Sequence, residues 1–249
     1  GVTGQDGSYL AEFLLEKGSN IEEVVNWADE KDVELAIIGP EGPLGKGIVD
    51  ALQEKDIPSA SPNSKASKIE TSKKFMRDLM SKYDLPGRVD YHVFDNIEEI
   101  EDFLAHYEGE VAVKPVGLTG GKGVKVMGEH LEDKREVIKY CEKVLENKLG
   151  GVSKVILEER LKGEEYTLQV FTDGKNILPM PLVQDHKRLF EGDEGPNTGG
   201  MGSYSQADGL LPFVDEELYD ESIEIMRATL EALRKEGIDY KGVLYGQFM

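Results

Sequence analysis

The sequence predicts an α/β fold of the mixed (α+β) kind, on three observations. Segments of helical and strand period alternate along the 249 residues. A short apolar run, 33–38, ends in a Gly/Pro turn and leads into a helix. A loop with four glycines and a lysine lies between two strand-like segments over 113–127. Hydrophobic residues make up 39% and charged ones 31%, a globular rather than a disordered or membrane composition.

The 29 basic and 49 acidic side chains give a formal net charge of −20. That balance argues against a nucleic-acid or anionic-membrane partner and requires any phosphate ligand to find a local basic pocket. The single cysteine, Cys141, cannot form an internal disulfide and is expected as a buried or semi-buried small side chain. No apolar run reaches the ~18–20 residues of a membrane span, so the cytoplasm is the expected compartment. The chain opens at Gly1 inside a glycine-rich loop and closes at Met249 inside an apolar run, which reads as a fragment.

In chain order, Gly1, Gly4 and Gly7 fit G-x-x-G-x-x-G before a helix over 8–17 with Leu10, Phe13 and Leu14 on one face. Such glycines suit a pyrophosphate at a helix N-terminus, but the flanking strands that would give the pattern force are missing. A helix over 20–31 follows, then the strand 33–38, the turn 39–43 and a helix carrying Ile48, Val49 and Leu52. This partial Rossmann-like layer places Glu41 at the carboxyl end of a strand, where it either touches a ligand or is a solvated loop carboxylate. A Ser/Pro-rich stretch, 58–64, marks a boundary, and a helix over 67–83 brings Lys65, Lys68, Lys73 and Lys74 near its start. Strand 91–94, helix 97–107 and strand 110–116 form the next module.

The loop 117–123 then returns as a second, antiparallel strand, which suits a lid whose backbone N–H groups wrap phosphate oxygens, with Lys122 adding charge. It is not a P-loop, since no G-K-[ST] opens a helix. Lys114, inside an apolar strand, needs an anionic partner if it faces inward. A helix spans 134–148, and strand 154–161 carries Glu158 and Glu159; strands 166–172 and 176–182 form a hairpin about Asp173-Gly174. Residues 184–188 break the apolar pattern, and 195–204 form a second glycine-rich loop. A scaffold helix over 215–235, with Leu218, Met226, Leu230 and Leu233, and a strand over 242–249 close the chain. His92, His106 and His130 are expected at the surface or at helix ends, and His186 either lines a site or does not.

From about residue 20 these segments, in this order, resemble the phosphoribosylamine–glycine ligase (glycinamide ribonucleotide synthetase) family of ATP-grasp enzymes. The matching stretches are Gly-Pro-Glu-Gly-Pro-Leu (39–44), Ser-Lys-Lys-Phe-Met (72–76), Lys114 through Gly123, Glu158-Glu159, Gly-Glu-Glu (163–165), Gln-Asp-His-Lys (184–187), Gly-Pro-Asn-Thr-Gly-Gly-Met-Gly (195–202) and Tyr-Lys-Gly-Val-Leu-Tyr (240–245). The lid and the C-terminal strand look archaeal, while residues 1–18 resemble the nucleotide-binding start of GDP-mannose 4,6-dehydratase. The resemblance implies an ATP-grasp fold behind a partial N-terminal domain. That domain would be 1–60, the truncated core 61–82 with 157–249, and the lid subdomain 83–156.

It also implies an ATP-dependent ligation of glycine to 5-phosphoribosylamine through a glycyl phosphate, in purine biosynthesis, by a monomer without nucleic-acid or membrane partners. Lys73, Lys114 and Asp185 would be catalytic. Lys73, Lys114, Gly120, Gly121, Lys122 and Gly123 would hold ATP phosphates, with Glu158, Glu159 and Leu161 at the adenine and Glu165 on the ribose. Glu41, Pro43, Asp185, Lys187, Asn197, Thr198, Gly199 and Gly200 would position the two substrates. The family's Mg²⁺ ligands lie past the last strand, and no acid follows Asp239 here, so no metal ligand is expected and this chain alone is expected to be inactive. Rival readings are another ATP-grasp ligase or carboxylase, a sugar-nucleotide dehydratase without its Tyr-x-x-x-Lys pair, and a non-catalytic α/β interaction protein.

Overall fold

The computed structural model describes residues 20–117, 119, 123–192 and 194–249. The glycine-rich start 1–18 and the lid residues Gly120, Gly121 and Lys122 lie outside them. The chain divides into two compact units. One takes in the described residues up to Thr71 with Val170–Leu178 and Leu233–Leu244; the other is Ser72–Gln169, Pro179–Ala232 and Tyr245–Met249.

In the first unit, Asn20 accepts a hydrogen bond from Glu23 N and starts helix α1 (Ile21–Glu30), which buries Val24, Val25 and Ala28. Helices α2 (Glu41–Gly45) and α3 (Ile48–Gln53) meet it through Leu44, Ile48 and Leu52. The expected turn at 39–43 thus tightens into a helical turn starting at Glu41. The expected strand 33–38 is not formed among the described residues: only Ala36 bridges, to Ser59, while Ile38 N donates to Ser61 Oγ at 2.7 Å. Ala36 and Ile38 face the core and Leu35 and Ile37 face out, so the period of two survives without a ladder.

The expected helix 67–83 is two helices, α4 (Lys68–Thr71) and α5 (Lys73–Lys82). Ser72 breaks it: its backbone is extended (φ −134°, ψ 98°) and its hydroxyl accepts from Phe75 N at 3.2 Å, capping α5. A serine inside a helical pattern offers the backbone this competing bond, which periodicity alone does not register.

Within the second unit, β1 (Tyr91–Phe94), α6 (Ile97–His106), β2 (Val111–Pro115), β3 (Lys125–Val126), α7 (Lys134–Glu146) and β4 (Val155–Glu159) form one module. Its sheet runs β1-β4-β2-β3 with every pairing antiparallel. Helices α6 and α7 cover it over a core of Ile100, Leu104, Val113, Val137, Val155 and Leu157. Asn96 and Asp133 cap the two helices, and Glu98 and Glu99 complement the α6 dipole. Cys141 is fully buried in this core, and burial pushes its thiol up to about 12.

Strands β5 (Tyr166–Thr172) and β6 (Ile177–Pro179) precede β7 (Gln184–Phe190) and β8 (Glu194–Tyr204); α8 (Glu216–Lys235) and β9 (Gly242–Phe248) follow. A three-stranded sheet runs in the order β6-β5-β9. The polar break 184–188 and the loop 195–204 are not loops: β7 and β8 pair antiparallel with bulges at His186/Arg188 and Arg188/Phe190. Most of β7 is half-buried or exposed, so no buried face imposes the apolar alternation by which a strand is read. Along α8, Leu218 is exposed, while Met226, Leu230 and Leu233 are buried.

Candidate functional site

Lys114 faces inward from β2 opposite Ile156 of β4, and its partner is Glu158, whose Oε2 accepts from Nζ at 2.6 Å. Glu158 is only 3% exposed and takes a second cation, Arg77 of α5, through Nε to Oε1 at 2.8 Å and Nη2 to Oε2 at 2.9 Å. Burial pushes this carboxyl up, but the Lys114 ammonium and the Arg77 fork outweigh it and hold it below the ordinary glutamate value. Sequence reasoning missed Arg77, because its partner lies 81 positions away in the chain and nothing local marks it.

Ser72 places Lys73 at the first position of α5, where its backbone N donates to Val116 O at 3.3 Å and its Nζ to Gly117 O at 2.9 Å. The far end of the lid is held by Tyr140, whose hydroxyl donates to Gly123 O at 3.0 Å. A Cβ on Gly117 would sit 2.0 Å from Gly150 O, so only glycine allows these two backbones to meet. Between the anchors, Thr119 Oγ1 is buried without a hydrogen-bond partner among the described residues. Lys114 and Arg77 on the Glu158 carboxylate, with Lys73 at Gly117, are cations of the kind that fit nucleotide phosphates. No group of three His, Cys, Asp or Glu that could hold a metal ion occurs among the described residues.

Glu158 is expected at an adenine edge, but its position inside the ion triad occupies both oxygens. Glu159 accepts from Asp90 N at 3.0 Å, and Leu161 is half exposed. A second cluster forms where β7 and β8 meet the segment before β5. Lys187 Nζ donates to Glu165 Oε2 at 3.1 Å and lies 3.5 Å from Asp185 Oδ2. Thr198 Oγ1 donates to Lys187 O at 2.9 Å and accepts from Gly200 N at 3.0 Å, which fixes the strand around Gly199. Asn197 lies opposite Arg188 in the ladder. Glu41 and Pro43 belong to the first unit, exposed and half-buried in the first turn of α2.

The hairpin is tied to the lid module by residues that the sequence did not single out. Glu129 accepts from Arg160 Nη2 at 2.7 Å with one oxygen and from Arg188 Nη2 at 2.9 Å with the other. Arg160 Nη1 also reaches Glu110 Oε2 at 3.0 Å and Met127 O at 2.9 Å, and Arg188 Nη1 donates to Gly195 O at 2.9 Å. His92 and His106 are exposed as expected, whereas His130 is half-buried: Val126 N donates to its Nδ1 at 3.3 Å. Burial, with the Arg188 charge beside it, holds its imidazole below the ordinary histidine value. His186 is exposed and stacks on Tyr204 with ring centroids 6.1 Å apart.

The ATP-grasp (A) domain of phosphoribosylglycinamide synthetase matches residues 71–249, and the N domain of the same enzyme matches residues 3–70. The N-domain match takes in residues 3–18, expected above to be of foreign type. The phosphoribosylamine–glycine ligase of Methanothermobacter thermautotrophicus is 54% identical over 226 residues, covering 91% of this chain and 52% of that protein. That of Methanobrevibacter smithii is 52% identical over 242 residues, covering 97% and 56%. A solved phosphoribosylamine–glycine ligase from Thermotoga maritima superposes with a TM-score of 0.70 at 29% identity, over 86% of this chain and 50% of that one. A biotin carboxylase–ATP complex from Campylobacter jejuni, at 16% identity and a TM-score of 0.69 over 92% and 48%, shares the fold. The chain spans about half the length of the curated relatives it matches. With both of its domains matched and half of its residues shared with these ligases, the chain belongs to the phosphoribosylglycinamide synthetase family, with the ATP-grasp fold.

Proposed function

We propose that this chain carries the nucleotide-binding part of a cytoplasmic, ATP-dependent ligase that joins glycine to 5-phosphoribosylamine. The products are glycinamide ribonucleotide, ADP and phosphate, a step of purine biosynthesis. The observation that supports it most directly is the Arg77–Glu158–Lys114 triad beside the anchored glycine lid. ATP supplies the phosphoryl group that gives the glycine carboxylate a leaving group. Lys73 and Lys114 hold phosphate oxygens by charge, and the anchored lid excludes water from them. The strand carrying Glu159 and Leu161 lies alongside the base, and Glu165 takes the ribose hydroxyls. Asp185 and Lys187, fixed with Glu165 and Thr198, orient an amine and a carboxylate for attack. Glu41, Pro43, Asn197 and Gly200 complete the substrate contacts, and the chain acts as a monomer.

Calorimetric titration with Mg-ATP tests the nucleotide assignment. Wild type binds, and K114M binds about tenfold more weakly or worse. Glycine then raises the melting temperature of the nucleotide complex where D-alanine does not. Absence of nucleotide binding, or binding indifferent to K114M, overturns the assignment; equal response to D-alanine moves it to another ATP-grasp ligase.

A further inference from the structure

We infer that Arg77 is a positioning residue: by taking up the charge of Glu158, it leaves the Lys114 ammonium able to offer its charge to an anionic ligand, the phosphates of a nucleotide. The inference rests on the nucleotide reading above and adds a residue to it.

The geometry of one carboxylate carries it. Glu158 Oε1 is filled by Arg77 Nε at 2.8 Å, and Oε2 is shared between Arg77 Nη2 at 2.9 Å and Lys114 Nζ at 2.6 Å. The three side chains are 13%, 3% and 24% exposed for Arg77, Glu158 and Lys114. A lone Lys114–Glu158 pair would be neutral, and a phosphate approaching it would have to compete with a buried carboxylate for the lysine. The guanidinium fork engages both oxygens and leaves the triad with one net positive charge. Lys114 is its most exposed member, and so the one from which a ligand can draw that charge. Arg77 is itself held, since α5 is capped at Ser72 and Arg77 Nη1 lies 3.9 Å from Met80 Sδ. A lysine at 77 would keep the charge and lose the fork.

The test uses the whole chain as wild type, R77K, R77M and R77M/E158Q, each checked for native circular dichroism and titrated at low salt with Mg-ADP and with tripolyphosphate. R77M retains a neutral buried pair and is expected to fold, but to bind about tenfold more weakly or worse. R77K falls between R77M and wild type. R77M/E158Q, in which nothing offsets Lys114, recovers most of the affinity, a rescue that a merely structural role for Arg77 would not give. Wild-type affinity in R77M, or a folded double variant as weak as R77M, overturns the inference. A second arm needs no ligand: Lys114 is labelled with a limiting amine-reactive reagent and quantified by mass spectrometry. Labelling slows in R77M, as lysine and carboxylate close into a neutral pair, and quickens in R77M/E158Q. Should wild type take up no nucleotide while labelling shifts in this way, the nucleotide reading falls and the charge sharing stands. Labelling that is the same in all variants sinks the inference even if nucleotide binds.

Discussion

Glu158 is charged where burial alone would neutralise it, so its contribution to stability depends on pH. Its folded value lies below the ordinary 4.5, held there against burial by Lys114 and Arg77. The stabilisation is therefore complete above the unfolded value and is lost as pH falls through the lower folded one. Denaturant titrations should show E158Q destabilised by about 3 kcal/mol at neutral pH, because two half-buried cations lose their buried partner. The gap to wild type narrows as the pH drops below about 4.5. Asp173 acts in the same direction further down. Backbone and side-chain hydrogen bonds from Asn176, with Lys175 N, hold its carboxyl at about 2. The turn between β5 and β6 thus keeps its carboxylate from neutral pH nearly to that value, and D173N should make the acid limb of a wild-type melting profile shallower below about pH 4.

At the scale of elements, the two ends of the proposed lid are held, by Lys73 on Gly117 O and by Tyr140 on Gly123 O. Y140F should leave the module folded and raise proteolytic cutting near Gly123 several-fold; unchanged cutting would remove Tyr140 as an anchor. G117A cannot keep the contact with Gly150 and should displace the lid base, read as faster amide exchange at Val116 than in wild type. S72A should cost about 1 kcal/mol, measured by urea unfolding, and weaken the hold of α5 on the lid. The α6–α7 module was readable from the sequence because a buried face on each element imposes a period, and Asn96 and Asp133 announce the helix starts. The β7–β8 hairpin was not, since strands without a fully buried face have no reason to alternate, and Gln184 to Arg188 pair through backbone groups that side chains do not reveal. Of the site, Lys114 was readable as a charge needing a partner, and glycines flanked the right loop. Arg77 and Glu129 were not, because each owes its role to a residue about 80 or 60 positions away that only folding brings near.

For the whole molecule, the −20 charge sets the background against which a small cluster of cations must attract anions. Self-repulsion should be relieved by salt, so the melting temperature should rise by about a few degrees between about 10 mM and about 200 mM NaCl, by scanning calorimetry. The same salt should weaken tripolyphosphate binding at the triad, and the opposite signs separate global repulsion from local attraction. Cys141 adds a built-in clock. It is the chain's single thiol, fully buried among Val137, Val144 and Val155, with its proton held tightly by burial. A disulfide reagent added to the native chain can react only when that core parts, so its slow uptake would time the opening of the lid module without any engineered probe or dye.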